Sequence, residues 1–208
     1  MTTRPPNPPP KVDVLSDVLR SIRLTGAAYF DNQMSSPWVA GVPPSRDIAH
    51  KVMPGAHRVI EYHFIARGFA WGHAVGDEPV RLDQGDIIAF PQGDAHVLSS
   101  SPGLLAAPNM SIYNLKSARL PHFIELGGGG PERARVVCCF LGCDERPYNP
   151  LLASLPRVMH LKAASAGSAT AWLGTLLSNA ARESASARPG TDNVLARLSE
   201  LILSLIHI

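Results

Sequence analysis

Between Gly85 and His96 the sequence reads GDIIAFPQGDAH, and Gly85, Pro91, Gly93 and His96 stand at spacings that an ordinary loop does not require. A glycine ahead of Asp86 lets the chain turn tightly into the apolar run at residues 87–90. Pro91 and Gly93 close a second turn, and the returning strand then carries His96 inward. An imidazole delivered in this way has three uses: as a metal ligand, as the wall of a ligand pocket, or as a satisfied core residue. The first use points to an enzyme and the second to a sensor. Upstream, Glu61 and His63 lie two apart in a strand-like run and so face one side of it. Trp38 and Trp71 are candidates for lining an apolar ligand site, as aromatic side chains do. Cys138, Cys139 and Cys143 fall within six positions; an odd count with one adjacent pair argues for reduced thiols, and the paired CxxC clusters of a structural zinc site are missing. Cys138 and Cys139 sit in an apolar run, where a thiol acts as a small hydrophobe.

The elements that must position these residues are short. Strand-like runs at 25–33, 48–52, 59–68, 69–75, 80–82, 87–90 and 96–98 are separated by Gly, Pro and Asp turn signals, and further strands are expected at 110–115, 123–126 and 134–141. Gly127 to Gly130 form a turn. This density of short strands predicts an antiparallel sandwich or barrel. Ahead of it, MTTRPPNPPP predicts an extended tail, and Leu15, Val18, Leu19 and Ile22 then recur at helical spacing. After Asn149 the pattern turns helical. A short apolar element is interrupted by Pro156; Trp172, Leu173, Leu176 and Leu177 mark one helix, and Val194, Leu198, Leu201 and Leu205 a second. The expected organisation is a tail at 1–11, a barrel domain at 12–150 and a helical segment at 151–208. That last segment ends SLIHI without a capping glycine and is expected to be cut short, with 202–208 in question as native sequence.

Composition narrows the class. The chain has 208 residues, 17% of them charged, which suits one main globular domain. Its 19 basic and 17 acidic residues are interspersed, so no Lys/Arg-rich face is expected to hold nucleic acid phosphates. No signal sequence and no apolar run near the roughly 20 residues of a membrane span is present, so a cytoplasmic protein without membrane contact is expected.

The pattern GxxxxxPxGxxH at 85–96 resembles the second motif of the cupin superfamily, with Ser100 in place of that motif's final asparagine. The first motif, HxHxxxE, is half present: Glu61 stands at its glutamate, His57 at its second histidine and Gly55 at its first. In metal cupins these residues share one cation, because imidazole nitrogen and carboxylate oxygen suit iron, manganese, nickel or zinc. The resemblance therefore implies a metal set of His57, Glu61 and His96, with His63 in addition. Since one standard ligand is replaced, the expected state is a pocket without a cofactor, with a divalent transition metal as the alternative. RVIEYHFIARGFAW, GDIIAFPQGDAHVLSSSPG and RVVCCFLGCDERPYNPLLASLPRVMHL, with DVLSDVLRSIRLTGAAYF and SSPW before them, look like the N-terminal cupin of AraC-type transcriptional regulators over residues 13–201. This resemblance implies a mainly β chain, a double-stranded β-barrel (jelly roll) with a short N-terminal helix and C-terminal helices. It further implies a non-enzymatic domain that binds a small-molecule effector, here at His63, His96, Trp38 and Trp71. Homodimerisation through the C-terminal helices is expected. DNA would be bound only by the helix-turn-helix units that follow in the family, where this sequence has ILSLIHI. The alternative is a metal-dependent cupin enzyme of dioxygenase or isomerase type.

Overall fold

A computed structural model describes residues 24–56, 58–114, 122–143, 154–163 and 175. The tail at 1–11, the expected first helix, His57, and the expected helices after 163 lie outside these residues. The described chain is mainly β. Six strands form one sheet in the order β10, β6, β3, β9, β1, β8: Met159–Leu161, Ile87–Phe90, Arg58–Arg67, Arg133–Cys143, Leu24–Ser35 and His122–Gly127. Four form a second sheet in the order β2, β7, β4, β5: Val39–Val42, His96–Ser99, Phe69–Ala74 and Val80–Asp83. All pairings are antiparallel except β1 with β8. Among the described residues no helix is long and apolar enough to cross a membrane.

The two sheets face each other, and alternation decides what they share. On β3, Ile65 points inward with Ile88 of β6 and Val136 of β9, and meets Ala70, Ala74, Leu82 and Leu98 of the other sheet in one buried cluster. Each Ile, Leu or Val side chain fully buried there contributes roughly 1.5–3 kcal/mol. β3 is a favourable strand sequence because Val59, Ile60, Tyr62, Phe64 and Ile65 are β-branched or aromatic, and both of its faces are buried. A second cluster closes one end of the barrel. It joins Phe30, Val59 and Phe140 of the large sheet to Ile48, Ala49 and Val52 of helix α1, Ser45–Val52, and to Tyr113 of a 3-10 turn at Met110–Tyr113.

Four segments differ from the sequence expectation. Residues 48–52 form helix, not strand, because Ser45, Ile48, Ala49 and Val52 are the buried positions and this is helical spacing. Met110–Tyr113 is a 3-10 turn, started by Asn109, whose side chain accepts from Ser111 N at 3.1 Å. Val39–Val42 is a strand too short to stand out by alternation. Met159–Leu161, expected in a helical stretch, pairs with Ala89, Ile88 and Ile87 of β6. Beyond that pairing the segment is pinned by side chains. Gln92 Nε2 donates to Leu155 O at 3.1 Å, Arg157 bonds Asp94 and Asp77, and Asp86 accepts from His160 Nε2 at 2.9 Å and from Ala163 N at 2.8 Å.

Candidate ligand and metal site

The turn between β6 and β7 delivers His96 as its spacing demands. Gly85 has φ +93° and its N–H bonds Ile65 O at 2.8 Å, tying the entry of β6 to β3. Gly93 has φ +69°, and a Cβ there would lie 1.8 Å from Ser45 Oγ. A side chain at 93 would therefore be strained by the left-handed backbone and would force the Ser45 side chain at the start of α1 to move. Ser45 N donates to Gly93 O at 3.0 Å, so α1 is fastened to this turn. His96 then opens β7 opposite Ala74 of β4 and Val42 of β2, with its ring in the interior.

Glu61 and His63 reach the same point from β3. Strand parity places both on the inner face, and one donor atom each from Glu61, His63 and His96 lie within 4.8 Å of one another. His63 Nε2 is 2.7 Å from His96 Nε2, and His96 Nε2 is 3.9 Å from Glu61 Oε2. All three residues are essentially inaccessible to solvent. Phe90 stacks on His96 with ring centroids 3.7 Å apart.

Burial sets the protonation of the cluster. It pushes the Glu61 carboxyl well above its ordinary range. Burial, and then the neighbouring His96, holds His63 well below the usual imidazole value. His96 is lowered to about 4 by burial, which the Asp94 carbonyl partly opposes and His73 reinforces. Burial thus disfavours the charged form of all three groups and works against an ion pair between His96 and Glu61. His96 Nδ1 lies 2.8 Å from Asp94 O, a bond that only an Nδ1–H can make, so the Nε2 lone pair points into the cluster.

The cluster is also unsatisfied. Both Glu61 oxygens and His63 Nδ1 are buried without a hydrogen-bond partner. Each such atom costs roughly 1–3 kcal/mol unless something completes it. Two imidazole nitrogens and one carboxylate, with a carbonyl fixing one imidazole from behind, are the donor set and outer support that a divalent transition cation uses. These residues fit such an ion.

A cavity of about 110 Å³ adjoins the cluster on the side of β1, β2, β8 and β9. Its wall includes Phe30, Val42, Leu98, Ile112, Ile124 and Phe140, with Asn32, His63, Tyr113 and Cys138 as polar points. The amide nitrogen of Asn32 is engaged, donating to Val136 O at 3.0 Å and to Cys138 Sγ at 3.1 Å. Burial raises the Tyr113 hydroxyl and the Cys138 thiol far above their usual ranges, so both stay neutral.

Of the residues expected from the sequence, Glu61, His63 and His96 are brought together, whereas His57 lies outside the described residues. Neither tryptophan lines the cavity. Trp38 is in the core and 4% exposed. Trp71 points outward, because Ala70, Gly72 and Ala74 take the inner positions of β4. Ser100, standing in place of the motif's asparagine, accepts from Trp38 N at 3.0 Å and so organises main chain instead. Asp94, Asn32 and Tyr113 were not singled out by sequence. Asp94 lies inside the turn motif and was open to notice; Asn32 and Tyr113 come from distant strands and turns that carry no local signal.

A family model described as Cupin matches residues 13–206. The HTH-type transcriptional regulator AlkR of Acinetobacter baylyi is 23% identical over 192 residues, covering 92% of this chain and 58% of that protein. Crystal structures of ToxT from Vibrio cholerae, one of an apo variant, align with TM-scores of 0.44 and 0.41 at 8% and 9% identity. They cover 88% of this chain and 56% and 54% of theirs. The chain thus spans little more than half the length of these relatives.

Proposed function

The chain belongs to the cupin family in its AraC-type form, and from that premise we propose that it is the effector-sensing domain of a transcriptional regulator. The observation that carries this reading is the apolar cavity inside the barrel, whose wall includes His63 of the buried Glu61, His63 and His96 cluster. A small molecule entering it displaces little water and touches both sheets, so binding shifts the balance between barrel arrangements. The segment at 154–163 is the outlet, because it hydrogen-bonds the same turn that holds His96. Homodimerisation and DNA contact, in a regulator of this kind, belong to residues beyond that segment.

Within that function Glu61, His63 and His96 hold a divalent transition cation. Such an ion satisfies the Glu61 carboxylate and supplies a Lewis-acidic point at the cavity wall. His96 contributes a lone pair oriented by Asp94 O, and Phe90 excludes water from one side. The test is elemental analysis of the purified chain beside Glu61→Gln and His96→Ala. About one cation per protomer is expected in the wild type and much less in both variants. A wild-type chain that stays cation-free after incubation with cobalt, zinc and iron(II) refutes this part, whereas the sensing role fails separately if no small apolar molecule raises the melting temperature. A two-histidine, one-carboxylate set is also the ligand set of non-haem iron oxygenases, which favours an iron-dependent enzyme as the second reading. That reading is tested by dioxygen consumption of the iron-loaded chain.

A further inference from the structure

His63 belongs to two sites at once. Its Nε2 stands 2.7 Å from His96 Nε2, and its side chain is also part of the cavity wall. Phe90 covers a different side of the cluster, lying 11° from parallel on His96 and edge-on to His63 at 6.0 Å, and takes no part in that wall. A molecule in the cavity therefore approaches the cluster past Cys138, the cross-strand neighbour of His63, and beside Tyr113.

Charge selects what that molecule carries. A divalent cation on two neutral imidazoles and one carboxylate retains a single positive charge. Glu61, His63 and His96 are at most 1% exposed, so water does not screen it. A net charge buried in this way is costly, and a monoanion removes it. The rest of the wall selects the other end of the molecule. No ionised side chain lines the cavity among the described residues, and the amide nitrogen of Asn32 is already used. The wall beyond the head group is mostly apolar, with Tyr113 and Cys138 as neutral polar points, and favours a largely apolar tail. Size follows from comparison: a cavity of about 150 Å³ accepts benzene, so about 110 Å³ accepts a tail of about four or five carbons.

We propose that the effector is a short apolar monoanion, a carboxylate whose head meets the cation held by Glu61, His63 and His96 and whose tail fills the cavity beside Tyr113. This rests on the cation reading of the preceding subsection and adds the chemistry of the ligand to it. The probes are pentanoate and 1-pentanol, which have tails of similar length and differ in charge. Both are titrated into the full chain loaded with cobalt(II), following the visible cobalt bands and, by calorimetry, the affinity. Pentanoate is expected to perturb the bands saturably and to bind at least about tenfold more tightly than 1-pentanol, and about tenfold more tightly than it binds the cation-free chain. Ile112→Trp, at a half-buried position on the 3-10 turn, is expected to keep the cobalt spectrum and lose pentanoate. Equal affinities for the two probes, or for pentanoate with and without cobalt, overturn the proposal while the cation site stands. A chain that binds no cobalt overturns both.

Discussion

Gly93→Ala tests the claim that the histidine-bearing turn and helix α1 compete for one space. The native φ of +69° lies in the left-handed region, which costs an L-residue about 1–2 kcal/mol. The added methyl would stand 1.8 Å from Ser45 Oγ, 3.0 Å from Ser45 Cβ and 3.3 Å from Val59 O. A separation of 1.8 Å cannot persist, so Ser45 must move. Its movement weakens the bonds that Gly93 O accepts from Ser45 N at 3.0 Å and from Ser45 Oγ at 3.4 Å, each worth about 0.5–1.5 kcal/mol. The sum is a loss of up to about 2–5 kcal/mol, a large part of a small domain's stability. Ser45→Ala separates the two contributions, because it deletes the oxygen in collision and leaves the backbone strain. We therefore expect the double variant to recover at least about 1 kcal/mol of the Gly93→Ala loss. Urea unfolding read by tryptophan fluorescence suits the measurement, since Trp38 is buried in the core. A Gly93→Ala chain within about 0.5 kcal/mol of wild type, or a double variant no better than the single, would refute the reasoning.

Arg135 makes a bidentate bond to Asp31 at 2.8 and 2.6 Å, with Asp31 buried and Arg135 one-third exposed. Arg135→Ala should therefore cost more in urea unfolding than Asp31→Asn, which should lose about 1–2 kcal/mol, because the first leaves a buried carboxylate unpaired; the reverse order contradicts this account. Asp86→Ala removes the acceptor for His160, Ala163 and Asp83, so amide exchange across 159–163 should rise at least about tenfold by mass spectrometry, and an unchanged rate would show that strand pairing alone holds the segment. Alkaline pH should destabilise the fold. Burial raises both the Cys138 and Cys139 thiols, so the unfolded chain releases their protons first, and stability falls as pH rises beyond about 9 by up to about 1.4 kcal/mol per pH unit for each thiol. Cys139→Ala should flatten that slope even while lowering stability at pH 7, and a slope unchanged by the substitution would locate the effect elsewhere.

How much of the fold is legible in the sequence depends on how local each signal is. The runs from β3 to β7 were readable because Gly and Pro bracket alternating or wholly apolar stretches, and their bounds fall within one or two residues of the observed strands. The inward placement of Glu61, His63 and His96 followed from strand parity and turn chemistry. Ile48 to Val52 misled because five residues with β-branched ends resemble a strand, whereas the burial of Ser45 three residues earlier reveals a helix. Met159–Leu161 could not be read at all, since three residues become a strand only when β6 offers its edge. Trp71 was open to a better reading: small residues at 70, 72 and 74 claim the interior and leave the indole outside. The cavity was invisible, because its walls come from β1, β2, β8, β9 and the 3-10 turn, and no window of sequence contains them together.

Asp94 is used twice, its carbonyl by the His96 ring and its carboxylate by Arg157 at 3.1 Å. A single residue thus has one hydrogen bond to the interior and one to the segment at 154–163. Reciprocity then applies without further machinery: a ligand that gains affinity from a fixed His96 must return the same free energy to the anchoring of Arg157, and loosening Arg157 must be felt as weaker binding inside. The sensitivity of the interior can therefore be adjusted from the surface, through a residue that touches no ligand.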